Sequence, residues 1–191
     1  MPPRFAATVA VAIAVAIAVV GSYVLAHRRG GSRAPRRATT IILDWNGVLV
    51  RLSKTGKSVV QVYEGADAFL SALLRVPNIR LVLWTSRAKE RLEKQMAEAP
   101  CRSIPFRLLF HACVGGDRCS KLPHSPYTMR KIVREIAVEH NIGQYIIVDN
   151  SEEKVRDNPA CNVVVTSSVP PVYEDLLEEI LGKIGMLEAD W

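Results

Sequence analysis

Residues 41–50 read IILDWNGVLV. Three aliphatics run without interruption into a carboxylate, Asp44, and an amide, Asn46, stands two residues later in front of Gly47. A short apolar run with no polar alternation is the pattern of a strand covered on both faces. A carboxylate where such a run stops lies at the strand's carboxyl end, where open α/β sheets gather their ligands. Asn-Gly is also a turn signal, so on its own Asp44 reads equally as a turn or cap residue. The rest of the chain has to decide.

Working outward, the same pattern recurs. Thr40–Leu43, Leu81–Trp84, Tyr145–Val148 and Val163–Val165 are short apolar runs. Residues 67–74 place Phe69, Leu70, Leu73 and Leu74 on one helical face, stopped before Pro77, and a charged helix is expected from 88 to 98. Residues 106–110 and 112–114 read as short strands beside a Gly115-Gly116 turn. Thr128 reads as the cap of a helix with the face Ile132, Val133, Ile136 and Ala137, ending near Gly143. A closing helix is expected over 175–184. No internal repeat interrupts this alternation, which predicts an α/β fold with a doubly wound parallel sheet of the Rossmann type.

The ends of the strands then supply one set of chemical groups: Asp44, Thr85, the pair Asp149-Asn150, and Lys131 on the element before the third strand. A carboxylate can attack phosphorus and form an aspartyl phosphate. Mg²⁺ takes oxygen ligands, which Asp44, the Asn46 backbone carbonyl, Asp149 and Asn150 offer. Thr85 can donate to a phosphoryl oxygen and Lys131 can neutralise its charge. Each element has a plainer reading as well. Thr85-Ser86 can cap the following helix, a lysine on an amphipathic helix is often a solvated charge, and Trp84 belongs in a core.

Asp44-x-Asn46-Gly-Val-Leu, then LVLWTS, then Lys131, then IIVDNS, in that order, resemble the haloacid-dehalogenase superfamily, and within it the C-terminal-domain phosphatases of the NLI-interacting-factor family. DAFLSALL, FRLLFHACV and VDNS agree with the same family, and the resemblance covers about residues 39–168. It implies a HAD-like domain with a small insertion over about 100–127, and a Mg²⁺-dependent phosphatase for phosphoserine or phosphothreonine in proteins. Asp44 would be its nucleophile, Thr85 its phosphate binder and Lys131 its charge clamp, with Lys121 and Arg130 as alternatives for the lysine. Asp149 and Asn150 would form the metal side. Active members carry Asp at the position of Asn46, where it protonates the departing oxygen and then activates water. Help of that kind is worth about 10²- to 10⁴-fold. The resemblance thus implies a slowed phosphatase or, alternatively, a catalytically dead pseudophosphatase kept as a binding module. A small-metabolite phosphohydrolase is a third reading.

The 191 residues leave room for one domain plus an extension. Residues 5–26 carry no charge, long enough at about 1.5 Å per residue to cross about 30 Å of hydrocarbon. The sequence therefore predicts a 1–4 tail, a transmembrane anchor over 5–26, a basic linker over 27–37 and a domain over 38–191. A cleaved signal peptide ending at Val24-Leu25-Ala26 competes with the anchor. Arg28, Arg29, Arg33, Arg36 and Arg37 after the span predict a single-pass membrane protein with a cytoplasmic C-terminal domain. All of the +6 net charge sits in residues 1–37, which hold six Arg, leaving 19 basic and 19 acidic residues in 38–191. No nucleic-acid partner is expected from that balance, and the resemblance implies a phosphoprotein substrate or a protein partner. His111, Cys113, Cys119 and His124 fit no standard zinc spacing, and no zinc is expected.

Overall fold

Every residue of the first strand, β1 (Thr39–Leu43), is buried, with Ile41 and Leu43 packed into one apolar cluster and Ile42 into another. Side chains alternate across a strand, so a strand apolar at successive positions must have both its faces covered. This strand is the middle of a five-stranded, all-parallel sheet. Its neighbours are β4 (Ile79–Trp84) and β8 (Tyr145–Asp149), and the edges are β5 (Ala112–Val114) and β9 (Val163–Val165). The computed structural model describes residues 38–52, 60–99, 105–122 and 125–189.

Helices cover one face. α1 (Ala66–Arg75) buries Phe69, Leu70 and Leu73, and α2 (Lys89–Glu98) buries Leu92 and Met96. The short α3 (Phe106–Leu109) buries Phe106, whose ring meets Trp45 edge-on at 5.4 Å. The long α5 (Tyr173–Ala189) adds Leu177, Ile180 and Ile184 to the same cluster. The opposite face is closed by Val133, Ile136, Ile142 and Val155, the last from α4 (Glu152–Val155). The α/β class with a parallel sheet covered on both faces is therefore the observed architecture.

Two antiparallel hairpins extend from this frame. β2 (Val50–Leu52) pairs with β3 (Val60–Val62) directly after the Asp44–Gly47 turn, and β6 (Ser120–Leu122) pairs with β7 (Ser125–Arg130) directly before Lys131. Neither hairpin is anticipated by the sequence reading. Two expected elements are also corrected. Residues 106–109 form a helix, not a strand, with Phe106 and Phe110 buried and Leu108 exposed. An apolar run of that length carries no periodicity that separates the two. The helix expected from Thr128 is instead β7 followed by a 3₁₀ turn at Val133–Glu135. Val133 and Ile136 of its apolar face are still buried, but the Lys131 N–H is bonded to the Lys154 carbonyl and the Val133 N–H to the Asn158 side chain, which holds residues 131–133 out of an α-helix.

The predicted membrane location is corrected as well. Among the described residues no helix is long and apolar enough to cross a membrane, so the single-pass anchor with a cytoplasmic domain is not supported. The 1–4 tail, the 5–26 span and the 27–37 linker lie outside the described residues.

Candidate active site

Register brings the chemistry together. Leu43 is level with Leu83 on one side and Val148 on the other, so the next residues, Asp44, Trp84 and Asp149, lie side by side at the carboxyl edge of the sheet. Asp44 continues the ladder by donating its N–H to the Val148 carbonyl at 3.0 Å. Both carboxylates are buried, Asp44 at 3% and Asp149 at 0% exposure.

Two buried carboxylates side by side repel each other and lose hydration, which is tolerable only with a cation between them. Lys131, 1% exposed, supplies it. Its Nζ donates to Asp44 Oδ1 at 2.6 Å and to Asp149 Oδ2 at 2.7 Å. Lys154 approaches the outer oxygen of Asp149 at 3.9 Å, and that same Oδ1 accepts the Ser151 N–H at 2.9 Å. Burial pushes the Asp44 carboxyl above its ordinary range, with the Asp149 charge adding to the rise and Lys131 opposing it. Burial works against the Lys131 charge, yet Asp44 and Asp149 together outweigh it and hold the ammonium's pKa up. Lys131 sits in a loop, not on the expected helix. The two alternatives do not share its place. Lys121 is exposed on β6, and the buried Arg130 pairs with Asp157.

What fixes this loop is a residue the sequence reading passed over, Asn158. Its Nδ2 donates to the carbonyls of Lys131 (2.7 Å) and Val155 (2.8 Å), and its Oδ1 accepts the Val133 N–H at 3.0 Å. The Lys131 N–H is held by the Lys154 carbonyl at 2.8 Å. Only a buried Asn could have hinted at this in the sequence, and nothing in the local pattern marks it as buried.

Thr85, buried at 2%, donates its backbone N–H to Val114 at 3.1 Å, while its Oγ1 accepts the Arg87 N–H at 3.3 Å. Its hydroxyl hydrogen is left to donate. Thr85 does not cap α2, whose N-cap is Ala88 with no side-chain bond. Gly115 and Gly116 press against this loop. A Cβ on Gly116 would stand 2.2 Å from the Ser86 carbonyl oxygen, so the glycine pair lets β5 deliver its turn onto the Thr85 loop.

On the other side, Asn46 turns its Oδ1 to accept the Leu52 N–H at 3.2 Å, tying the turn to the β2–β3 hairpin. Gly47 has φ +96°, and a Cβ there would lie 2.4 Å from Asn150 Nδ2. The Asn150 amide thus rests on the bare face of Gly47, and its Oδ1 is buried without a hydrogen-bond partner among the described residues. An unsatisfied buried oxygen is costly unless something else meets it.

That orphan decides how well a metal ion suits the site. No group of three or more His, Cys, Asp or Glu among the described residues could hold one. A hard cation here would rely on one or two carboxylates with amide and carbonyl oxygens, a set Mg²⁺ accepts when water and phosphate complete its shell. Each Asp149 oxygen already accepts one hydrogen bond and keeps a lone pair, while Asp44 Oδ2 and the orphaned Asn150 Oδ1 accept none among the described residues, so these oxygens with the Asn46 carbonyl are the donors on offer. The residues fit Mg²⁺. Of the zinc candidates, His111 is exposed, Cys113 lies 4.0 Å from the Met96 sulfur, and His124 falls outside the described residues.

No family model matches the chain, and no curated protein matches it. Among solved structures the chain is similar to a 3-deoxy-D-manno-octulosonate 8-phosphate phosphatase from Moraxella catarrhalis, described in complex with magnesium, phosphate and its sugar acid. The TM-score is 0.46 at 11% identity, over 81% of this chain and 94% of that one. A Legionella pneumophila structure described as a HAD-superfamily (subfamily III A) hydrolase aligns with TM-score 0.44 and 12% identity, over 79% and 86%. A hypothetical protein from Xanthomonas campestris aligns with TM-score 0.45 and 16% identity, over 80% and 86% of the two chains.

Proposed function

We propose that this chain is a phosphatase-like, Mg²⁺-assisted phosphoryl-transfer protein of the haloacid-dehalogenase kind, with Asp44 as the group that takes the phosphoryl. The observation that carries the reading is the bridge from Lys131 Nζ to Asp44 Oδ1 and Asp149 Oδ2 at the carboxyl edge of a parallel sheet. Lys131 holds one oxygen of Asp44 and aims the carboxylate. The other oxygen has no hydrogen-bond partner among the described residues and is the one open to a metal ion, while Oδ1 keeps a lone pair beside its bond from Lys131 with which to attack phosphorus. Thr85 offers its hydroxyl hydrogen to a phosphoryl oxygen, and the ammonium offsets negative charge as the bond forms. Mg²⁺, held by Asp44, the Asn46 carbonyl and Asn150 with Asp149 behind Lys131, would supply charge neutralisation for the phosphate when bound.

Support for a phosphoserine or phosphothreonine protein as the substrate comes from the resemblance of the motifs to the C-terminal-domain phosphatases. The binding-module alternative is favoured by one observation. Asn46 Oδ1 accepts the Leu52 N–H, and an amide is too weak an acid and too weak a base to move protons for the reaction near neutral pH. The test is release of an aryl alcohol from an aryl phosphate by the purified full-length chain, with Mg²⁺ or chelator, beside Asp44→Asn. Release that needs both Mg²⁺ and Asp44 supports phosphoryl transfer. A rate untouched by Asp44→Asn sinks it, and phosphopeptide binding without release favours the binding module.

A further inference from the structure

When a phosphoryl group leaves its donor, the P–O bond breaks and the electron pair stays on the departing oxygen. An alkoxide is strongly basic, so a seryl or threonyl phosphate needs a proton delivered to that oxygen. Around Asp44 the described residues hold no group suited to deliver one. Asn46 is an amide, its Oδ1 bonded to Leu52 N–H. Lys131 spends two of its three N–H groups on Asp44 and Asp149, beside the attacking oxygen and not the departing one. Lys154 lies against Asp149 Oδ1 at 3.9 Å, and both oxygens of Asp149 accept hydrogen bonds. Asn150 is a second amide, Thr85 a hydroxyl, and the Cys119 thiol faces the Thr85 carbonyl at 3.9 Å. The same inventory holds no base to take a proton from water, whose own pKa is about 15.7.

Resting on the aspartyl-phosphate reading above, we propose that the donors this site accepts are acyl phosphates, and that the phosphoryl group then stays on Asp44. The step balances without an acid. An Asp44 oxygen forms the new O–P bond, the P–O bond to the acyl oxygen breaks, and the pair leaves on a carboxylate that is stable unprotonated. Donor and product are both mixed carboxylic–phosphoric anhydrides, so the exchange is close to thermoneutral. Hydrolysis of the aspartyl phosphate needs water to lose a proton, and that is where the site stops. The chain is then a phosphoryl acceptor that holds its group, and alkyl phosphates are poor donors to it.

The experiment incubates the full-length chain with acetyl phosphate and Mg²⁺, follows acetate and phosphate release, and reads the intact mass. A phosphoserine peptide and the variants Asp44→Asn and Asn46→Asp run beside it. The expected result is a single phosphoryl group retained per chain from acetyl phosphate, removed by hydroxylamine and absent in Asp44→Asn. The peptide should react about 10²- to 10⁴-fold more slowly, and Asn46→Asp should release phosphate continuously from both donors. Continuous phosphate release by the wild type, or a peptide rate equal to that with acetyl phosphate, overturns the inference while leaving Asp44 as the nucleophile. Turnover by Asn46→Asp with no label on the wild type also overturns it and leaves the site reading standing. No label and no release from any form with any donor removes both.

Discussion

Lys131 is the residue on which the site's stability and its chemistry both depend. Breaking a buried ion pair strands the remaining charge and costs about 3–5 kcal/mol. Lys131→Met leaves two carboxylates facing each other, so a loss of that size is expected in urea denaturation. Adding Asp44→Asn to Lys131→Met removes one of the stranded charges, and the double variant should be more stable than Lys131→Met alone. A double variant weaker than the single would mean the bridge between Lys131 and Asp44 is not what stabilises the pair. Gly47 makes a second case at this scale. An alanine there would have to adopt φ +96°, at about 1–2 kcal/mol, and would also press on the Asn150 amide. Gly47→Ala should therefore lose more than the backbone term alone and weaken Mg²⁺ binding measured by calorimetry. Removing the clash with Asn150→Ala should recover the part of the loss beyond the backbone term, but not the metal. Stability unchanged by Gly47→Ala would contradict the close approach of these two residues.

At the scale of elements, the alternation of apolar runs and helical faces exposed the strand that carries Asp44, its two neighbours, and the helices over 66–75 and 89–98. These are elements whose period is set by burial on both faces, and burial is written in side-chain type. The two hairpins were not legible. β2, β3 and β6 are three residues each, and their pairing depends on partners rather than on any local pattern. The Lys131 loop failed for a related reason. Ile132, Val133 and Ile136 do have helical spacing, but the Asn158 side chain claims the Lys131 carbonyl and the Val133 N–H, and tertiary hydrogen bonds override propensity. Asn158→Ala strands these groups at about 1–3 kcal/mol each. We expect a loss of about 2–6 kcal/mol for the two by urea denaturation, with slower acquisition of phosphate by Asp44 because Lys131 is no longer held. An equally fast reaction would show that the Lys131 loop keeps its place without the clamp.

Across the whole molecule, the candidate site was legible as a list of groups, because strand order in an α/β sheet brings successive carboxyl ends to one edge. What sequence could not reveal is which oxygens are engaged, since that depends on distances between elements far apart in the chain. The same burial that builds the site has a consequence for alkaline stability. Burial raises the pKa of Tyr63, Tyr145, Tyr173 and Cys113 and lifts the Cys119 thiol to about 11, while Asp44 and Asp149 raise that of Lys131. In each case the native state holds its proton more tightly than the unfolded chain, whose values are 9.0 for Cys, 10.0 for Tyr and 10.5 for Lys. Above those values the unfolded chain binds fewer protons, so unfolding free energy falls as pH rises. These contributions are fully present near neutrality and are lost from about pH 9 upward. Tyr173 isolates one of them, because its hydroxyl donates to the Val48 carbonyl at 2.6 Å beneath the turn that follows Asp44. Tyr173→Phe strands that carbonyl and should lower stability at pH 7 by about 1–3 kcal/mol. It also removes one ionisation, so its urea midpoint should fall less steeply between neutral and alkaline pH than that of the wild type. Parallel curves for the two proteins would show that the Tyr173 proton is not linked to folding.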